Sequence, residues 1–142
     1  MDFMIDVGML LKSDEVVDFL ELYDLPVQYH FDRLHEGESD SYTVESEDLS
    51  LELRFDADQR CITIFVRDPA AALAQGLVSF PNLQSPAEIE AYAKENALTL
   101  SRGGSWLRCD GVARCVHYEF ADDELKMVTV MSPNAAPKAQ HT

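Results

Sequence analysis

Two stretches of this chain carry the same apolar pattern in the same order, and that recurrence restricts the fold more than any single motif does. Val16, Phe19, Leu25 and Val27 return 73 residues later as Ile89, Tyr92, Leu98 and Leu100; Leu51, Leu53 and Phe55 return 65 residues later as Val116, Tyr118 and Phe120. The first set opens with helical spacing, and the second alternates with period two, as a strand with one buried face does. A helix followed by an antiparallel meander, used twice as units 8–68 and 77–132, is the simplest architecture that gives this spacing. The predicted class is α+β: a single domain over 1–132 in which helices cover one face of an antiparallel sheet of six or more strands. Residues 133–142 have no apolar pattern and are expected to form a disordered tail.

Local signals place the elements. Ser13 followed by Asp14 and Glu15 reads as a capped helix start over 13–23, with acids near the positive end of the dipole, and Pro26 ends it. Residues 27–31 alternate like a half-buried strand, 36–41 read as a loop, and the apolar alternation from Leu49 to Phe55 turns at 56–59 into a second strand from Cys61 to Val66. Asp68 and Pro69 open a short Ala-rich helix. Ser85, Pro86 and Glu88 form a capping box for a helix over 85–96, with Ile89, Tyr92 and Ala93 as its apolar stripe. Extended structure resumes at Leu98, and 106–109, 116–120 and 125–131 read as three further strands. The two capped helices are expected to pack near each other, with Leu53, Phe55, Tyr118 and Phe120 buried.

At 142 residues and 46% hydrophobic the chain is long enough to bury one core without disulfides or a structural metal. No apolar run approaches the roughly 18 residues that a membrane-spanning helix needs. The formal charge of −15, with only 11 basic residues, excludes the usual nucleic-acid binder and points to a basic protein partner. Asp2 and Asp6 stand where a secretory signal would carry Lys or Arg, which predicts a cytoplasmic protein. Cys61, Cys109 and Cys115 are an odd count at no metal-ligand spacing and read as free, mostly buried thiols.

Signatures of catalysis are missing. No Gly-x-Ser-x-Gly elbow occurs, and Gly103-Gly104 precedes a strand where a phosphate cradle would precede a helix. His30 and His35 flank Asp32, but that spacing puts the two imidazoles on opposite faces of a strand, so no metal and no cofactor are expected. Trp106 and Tyr118 read as core aromatics, while His117 should face away from Val116 and Tyr118.

The distribution of charge is the functional signal. Residues 1–71 hold 18 acids and 5 bases, whereas 72–142 hold 8 acids and 6 bases. If the halves share a fold, solubility does not require that only one be charged, and a one-sided field accelerates encounter with a basic partner. Glu36, Glu38, Asp40, Glu45, Glu47 and Asp48, with the turn acids Asp56 and Asp58, are the predicted partner-binding residues. No Lys or Arg interrupts the run from Glu36 to Glu52. Failing that, recognition would centre on Trp106 and Arg108.

The closing strands, Trp106-Leu-Arg-Cys-Asp, Cys115-Val-His-Tyr-Glu-Phe and Leu125-Lys-Met-Val-Thr-Val-Met, resemble those of the cytoplasmic immunity proteins that bacteria make against their own secreted antibacterial toxins, including toxins delivered by type VI secretion. That resemblance implies a protein that binds a toxin tightly and occludes it without turnover. It assigns no toxin-contacting residue. The pattern from Leu49 to Asp56, with Cys61-Ile-Thr-Ile-Phe, is also similar to the central strands of type III secretion chaperones, which implies the alternative of effector binding. A small enzyme using carboxylates such as Asp40 and Asp48 is the third possibility.

Overall fold

The computed structural model describes residues 4–31, 37 and 39–135. Helix α1, Asp14–Leu22, follows Ser13, whose backbone is extended as an N-cap requires; its hydroxyl donates to the carbonyl of Leu10 at 2.7 Å and does not cap the helix. Strands β1 (Gln28–His30), β2 (Ser41–Ser46), β3 (Leu51–Phe55) and β4 (Cys61–Val66) form an antiparallel meander. Helix α2, Pro69–Gln75, is capped by Asp68, which accepts from the N–H of Ala71, and is closed by Gly76 at φ 67°. Helix α3, Pro86–Glu95, carries the expected Ser85 cap, the Oγ accepting from Glu88 N–H at 3.2 Å. The Glu88 carboxylate reaches one residue further back than a regular capping box, to the N–H of Gln84. Strands β5 (Thr99–Arg102), β6 (Trp106–Asp110), β7 (Cys115–Ala121) and β8 (Glu124–Met131) form the second meander.

The two meanders join through β4 and β8 into one eight-stranded antiparallel sheet, ordered β1-β2-β3-β4-β8-β7-β6-β5. The fold is α+β, and each half runs helix then four strands. Details recur at the spacings read from the sequence. Tyr23, Asp24 and Leu25 donate backbone hydrogen bonds to Phe19, Glu21 and Leu20; Asn96, Ala97 and Leu98, 73 positions on, donate to Tyr92, Lys94 and Ala93. Asp24 and Ala97 both take a left-handed backbone, φ 51° and 53°, to close these helix ends. Register shifts fall between Arg54 and Phe55 in β3 and between Glu119 and Phe120 in β7, 65 positions apart.

The core lies on one face of the sheet. Val44, Leu53, Phe55, Ile64, Val66, Leu107, Val116, Tyr118, Val128 and Val130 point inward, against Val16 and Phe19 of α1, Ala72 of α2, and Ile89 and Ala93 of α3. The Tyr118 hydroxyl is satisfied inside this core by the carbonyl of Pro81 at 3.0 Å. The N-terminal segment is tied to the rim, with Ile5 donating to Leu77, Gly8 to Cys61 and Leu11 to Gln59.

Four expectations need correction. β2 lies within the acidic segment, because Tyr42, Val44 and Ser46 alternate inward beneath its charges. α3 sits over β5 and β6 while α2 sits over β8, so the short Ala-rich helix fills the middle of the layer and the two capped helices do not rest mainly on each other. Phe120, next to the register shift, is only half-buried. Pro133–Ala135 form a turn, Ala135 N–H to Ser132 carbonyl at 3.0 Å, and the rest of the expected tail lies outside the described residues.

These positions set the energetics of truncation. Phe55→Ala, at a fully buried site, is expected to cost about 3–5 kcal/mol in urea unfolding. Phe120→Ala should cost only about 1–2 kcal/mol. Equal losses would contradict the division between core and rim.

Candidate functional site on the acidic flank and the uncovered sheet face

The predicted partner-binding acids separate when the chain folds. β2 and β3 are antiparallel, so Glu45, Glu47 and Asp48 lie at the end where Ser46 pairs with Leu51, and Asp40, Asp56 and Asp58 lie at the end where Tyr42 pairs with Phe55. About four residues of strand, roughly 13 Å, stand between the groups. Glu36 and Glu38 lie outside the described residues, as do Asp32 and His35. His30 is exposed on β1, and the described residues contain no group of three or more His, Cys, Asp or Glu side chains able to hold a metal.

Several of these acids also have local work. Asp56 Oδ1 accepts the N–H groups of Asp58 and Arg60, both at 3.0 Å, and so shapes the β3–β4 turn. Asp40 accepts the Tyr29 hydroxyl at 2.6 Å, and that hydrogen bond is the main reason the phenol is pushed above its ordinary value of 10. Nor is the segment free of neutralisation, because Arg54 and Arg67 arrive from β3 and from just beyond β4. Arg54 Nε donates to Glu52 at 2.7 Å, Arg67 Nη2 donates to the other Glu52 oxygen at 3.0 Å, and Arg67 lies 3.6 Å from Glu45. Burial alone would raise the Glu52 carboxyl; the two guanidinium hydrogen bonds outweigh it and hold it below its ordinary value. Glu47, Asp48 and Asp58 stay exposed, with no cation in salt-bridge range among the described residues.

A second acidic group lies outside the predicted partner-binding residues: Asp14 and Glu15 read only as helix-start signals, and Asp18 and Glu21 belong to no motif. α1 exposes Asp14, Glu15, Asp18 and Glu21 and has no base in its last turn. Its counterpart α3 carries Lys94 in its last turn, and its Glu90 pairs with Arg102. From α1 the chain reaches β1 within residues 23–27, and the β1–β2 register sets Gln28 opposite Thr43, so β1 starts on the side of the sheet toward Glu45, Glu47 and Asp48. Leu22, Val27 and Tyr29 are 60%, 39% and 51% exposed along this edge. The signal was available in the spacing of acids three and four apart along the helix.

The other face of the sheet carries no helix among the described residues. Across it one row runs through Ser101, Arg108, His117, Thr129, Phe65, Glu52 and Glu45, each opposite the next on the neighbouring strand. Glu52, Arg108 and Thr129 are only 6–7% exposed, so the twisted sheet curls around them. Asp110 holds Arg108 through Nε at 2.8 Å and Nη2 at 3.0 Å. Trp106 belongs to this face and not to the core as expected, since Leu107 and Cys109 take the inward positions of β6; its ring lies 5.1 Å from that of His117. Arg54 lies over Phe65, 4.7 Å from the ring centre. Between these groups is a pocket of about 330 Å³, completed by Met127 and Met131.

The three cysteines are free and buried. Burial pushes Cys61 up to about 12 and, with a hydrogen bond to Asp110, Cys115 up to about 11, which leaves both as inert thiols. His117 is shifted down from its ordinary value, first by burial and then by the Arg108 charge, against an opposing pull from Glu119. The unfolded chain therefore takes up a proton at this position near pH 6.5, before the folded protein does, and stability must fall as pH drops through that range. Wild type is expected to lose urea resistance between about pH 7 and 5.5, and His117→Gln should lose less; parallel curves would show that His117 does not contribute.

No helix among the described residues is long and apolar enough to cross a membrane. No family model matches the chain, and neither does any curated protein or solved structure.

Proposed function

We propose that this chain is a binding protein of the immunity type, which docks a basic protein toxin through the α1–β1 flank and occludes it without turnover, acting in the cytoplasm. One contrast carries the reading. α1 and α3 hold equivalent places in the two halves, yet α1 presents four exposed acids and no base, whereas α3 sets Lys94 and the Arg102–Glu90 ion pair against its three acids. Like charges at helical spacing cost α1 stability, and Glu21 near its negative C-terminal end adds to that cost. A cationic partner relieves both.

The neighbouring surface fits the same purpose. Leu22, Val27 and Tyr29 offer exposed apolar and aromatic surface in the same stretch of chain as the exposed acids Glu21 and Asp24, and a protein interface combines such contact with a charged rim. Rim acids act chiefly on the association rate, over a screening distance of about 8 Å at physiological salt.

The test is to capture the partner on the tagged full-length protein and express it in cells with and without this chain. The reading requires a basic partner that arrests growth and whose effect the chain suppresses. Replacing Asp18, Glu47 and Asp48 by Lys should slow association about tenfold or more at low salt and flatten its salt dependence. The same variant should fold as well as wild type. A harmless partner that is exported with the chain's help would support the chaperone alternative, and an unchanged association rate would remove the acidic flank from the interface.

A further inference from the structure

We propose that the pocket on the uncovered sheet face binds a small, uncharged, planar aromatic molecule bearing an amide, at a site separate from the acidic flank. Thr129 forms its floor. From that residue His117 and Phe65 lie on the adjacent strands, and Met127 and Met131 lie two positions away on either side along β8. Trp106 and Arg108 close the far side from β6.

Polar capacity in this pocket is left over in a specific pattern. Thr129 is more than nine-tenths buried, and its hydroxyl has no hydrogen-bond partner among the described residues. The Arg108 side chain is 8% exposed, and Asp110 occupies only its Nε and one bond of Nη2, so Nη1 retains both of its N–H donors. Among the described residues no side-chain nitrogen or oxygen is sealed away without a partner, and Arg108 and Thr129 both line the pocket, so this remaining capacity is accessible there. A guanidinium N–H donates to a carbonyl, and a threonine hydroxyl accepts from an N–H; an amide offers both groups on one plane.

Shape and charge narrow the class further. Trp106 and His117 pack ring against ring, 5.1 Å between centroids and 30° from parallel, and give the pocket an aromatic side. Gly103 lies close against the indole, where any Cβ would collide with it. Phe65 and the two methionines give apolar sides, and thioether chains adapt to the outline of a ring. Asp110 already balances the Arg108 charge, and Glu119 stands opposite Trp106 and Met127, so a carboxylate is disfavoured. No acid among the described residues lines the pocket to hold a cation.

Trp106 is the only tryptophan, so its fluorescence reports on the pocket wall directly. Titration of the full-length protein with benzamide should give a saturable change with a dissociation constant of about 1–10 mM. Benzoate, benzylamine and cyclohexanecarboxamide should each bind more weakly. Thr129→Val, which preserves shape, should weaken benzamide by about fivefold while leaving the urea midpoint near that of wild type. The proposal is overturned by an unsaturable response, by equal affinity in Thr129→Val, or by tighter binding of either charged probe. It also falls if benzamide is silent and only the captured protein partner perturbs Trp106, which would assign the pocket to the protein interface.

Discussion

Everything in this fold depends on the antiparallel contact between β4 and β8. Each meander ends on the strand that makes it, and four register pairs, from Thr63–Met131 to Val66–Val128, fuse two four-stranded units into one sheet. The inward side chains at that seam, Ile64, Val66, Val128 and Val130, are wholly buried and sit at the centre of the core. Without the seam each unit would expose a long apolar edge strand, a template for aggregation. The outer edges, by contrast, are short: β1 has three residues and β5 has four.

Covering only one face of such a sheet forces a particular use of side chains on the other. An eight-stranded sheet twists enough to bury groups on its open side, and buried charges there need partners. Both halves answer with arginine: Arg54 and Arg67 hold Glu52, and Asp110 holds Arg108 by a fork. Near the seam the face has aromatic and thioether groups in place of ions, and there the pocket opens. The open face is thus close to electrically balanced, which leaves the excess negative charge to α1, the turns and the sheet ends.

That distribution changes the meaning of an acidic first half. A run of acids in sequence suggested one continuous surface, but hairpin geometry sends its two ends to opposite rims, and arginines from other strands neutralise part of it. The acids without an ion-pair partner among the described residues instead lie on α1 and in the β2–β3 turn, at the end of the sheet toward which β1 starts. The corresponding helices of the two halves differ in this respect, since α3 carries a lysine and one ion pair among its acids and α1 carries acids alone.

Sequence alone determined the local elements and the class. Period-two alternation marks β3, β4, β7 and β8; the Ser85-Pro86 and Asp68-Pro69 starts mark α3 and α2; and equal spacing of apolar residues matches the order of helix and strands in the two halves. These are short-range properties, set by backbone stereochemistry and by which side chains avoid water. β2 was hidden because its outward residues are charged and its inward ones include serine, so its strand character depends on neighbours. Which face Trp106 joined, which arginine met which acid, and where the pocket formed were decided only by tertiary structure. The physical reason is that strand register and sheet curvature fix contacts between residues far apart in the chain, and a one-residue change of register would exchange the two faces of the sheet.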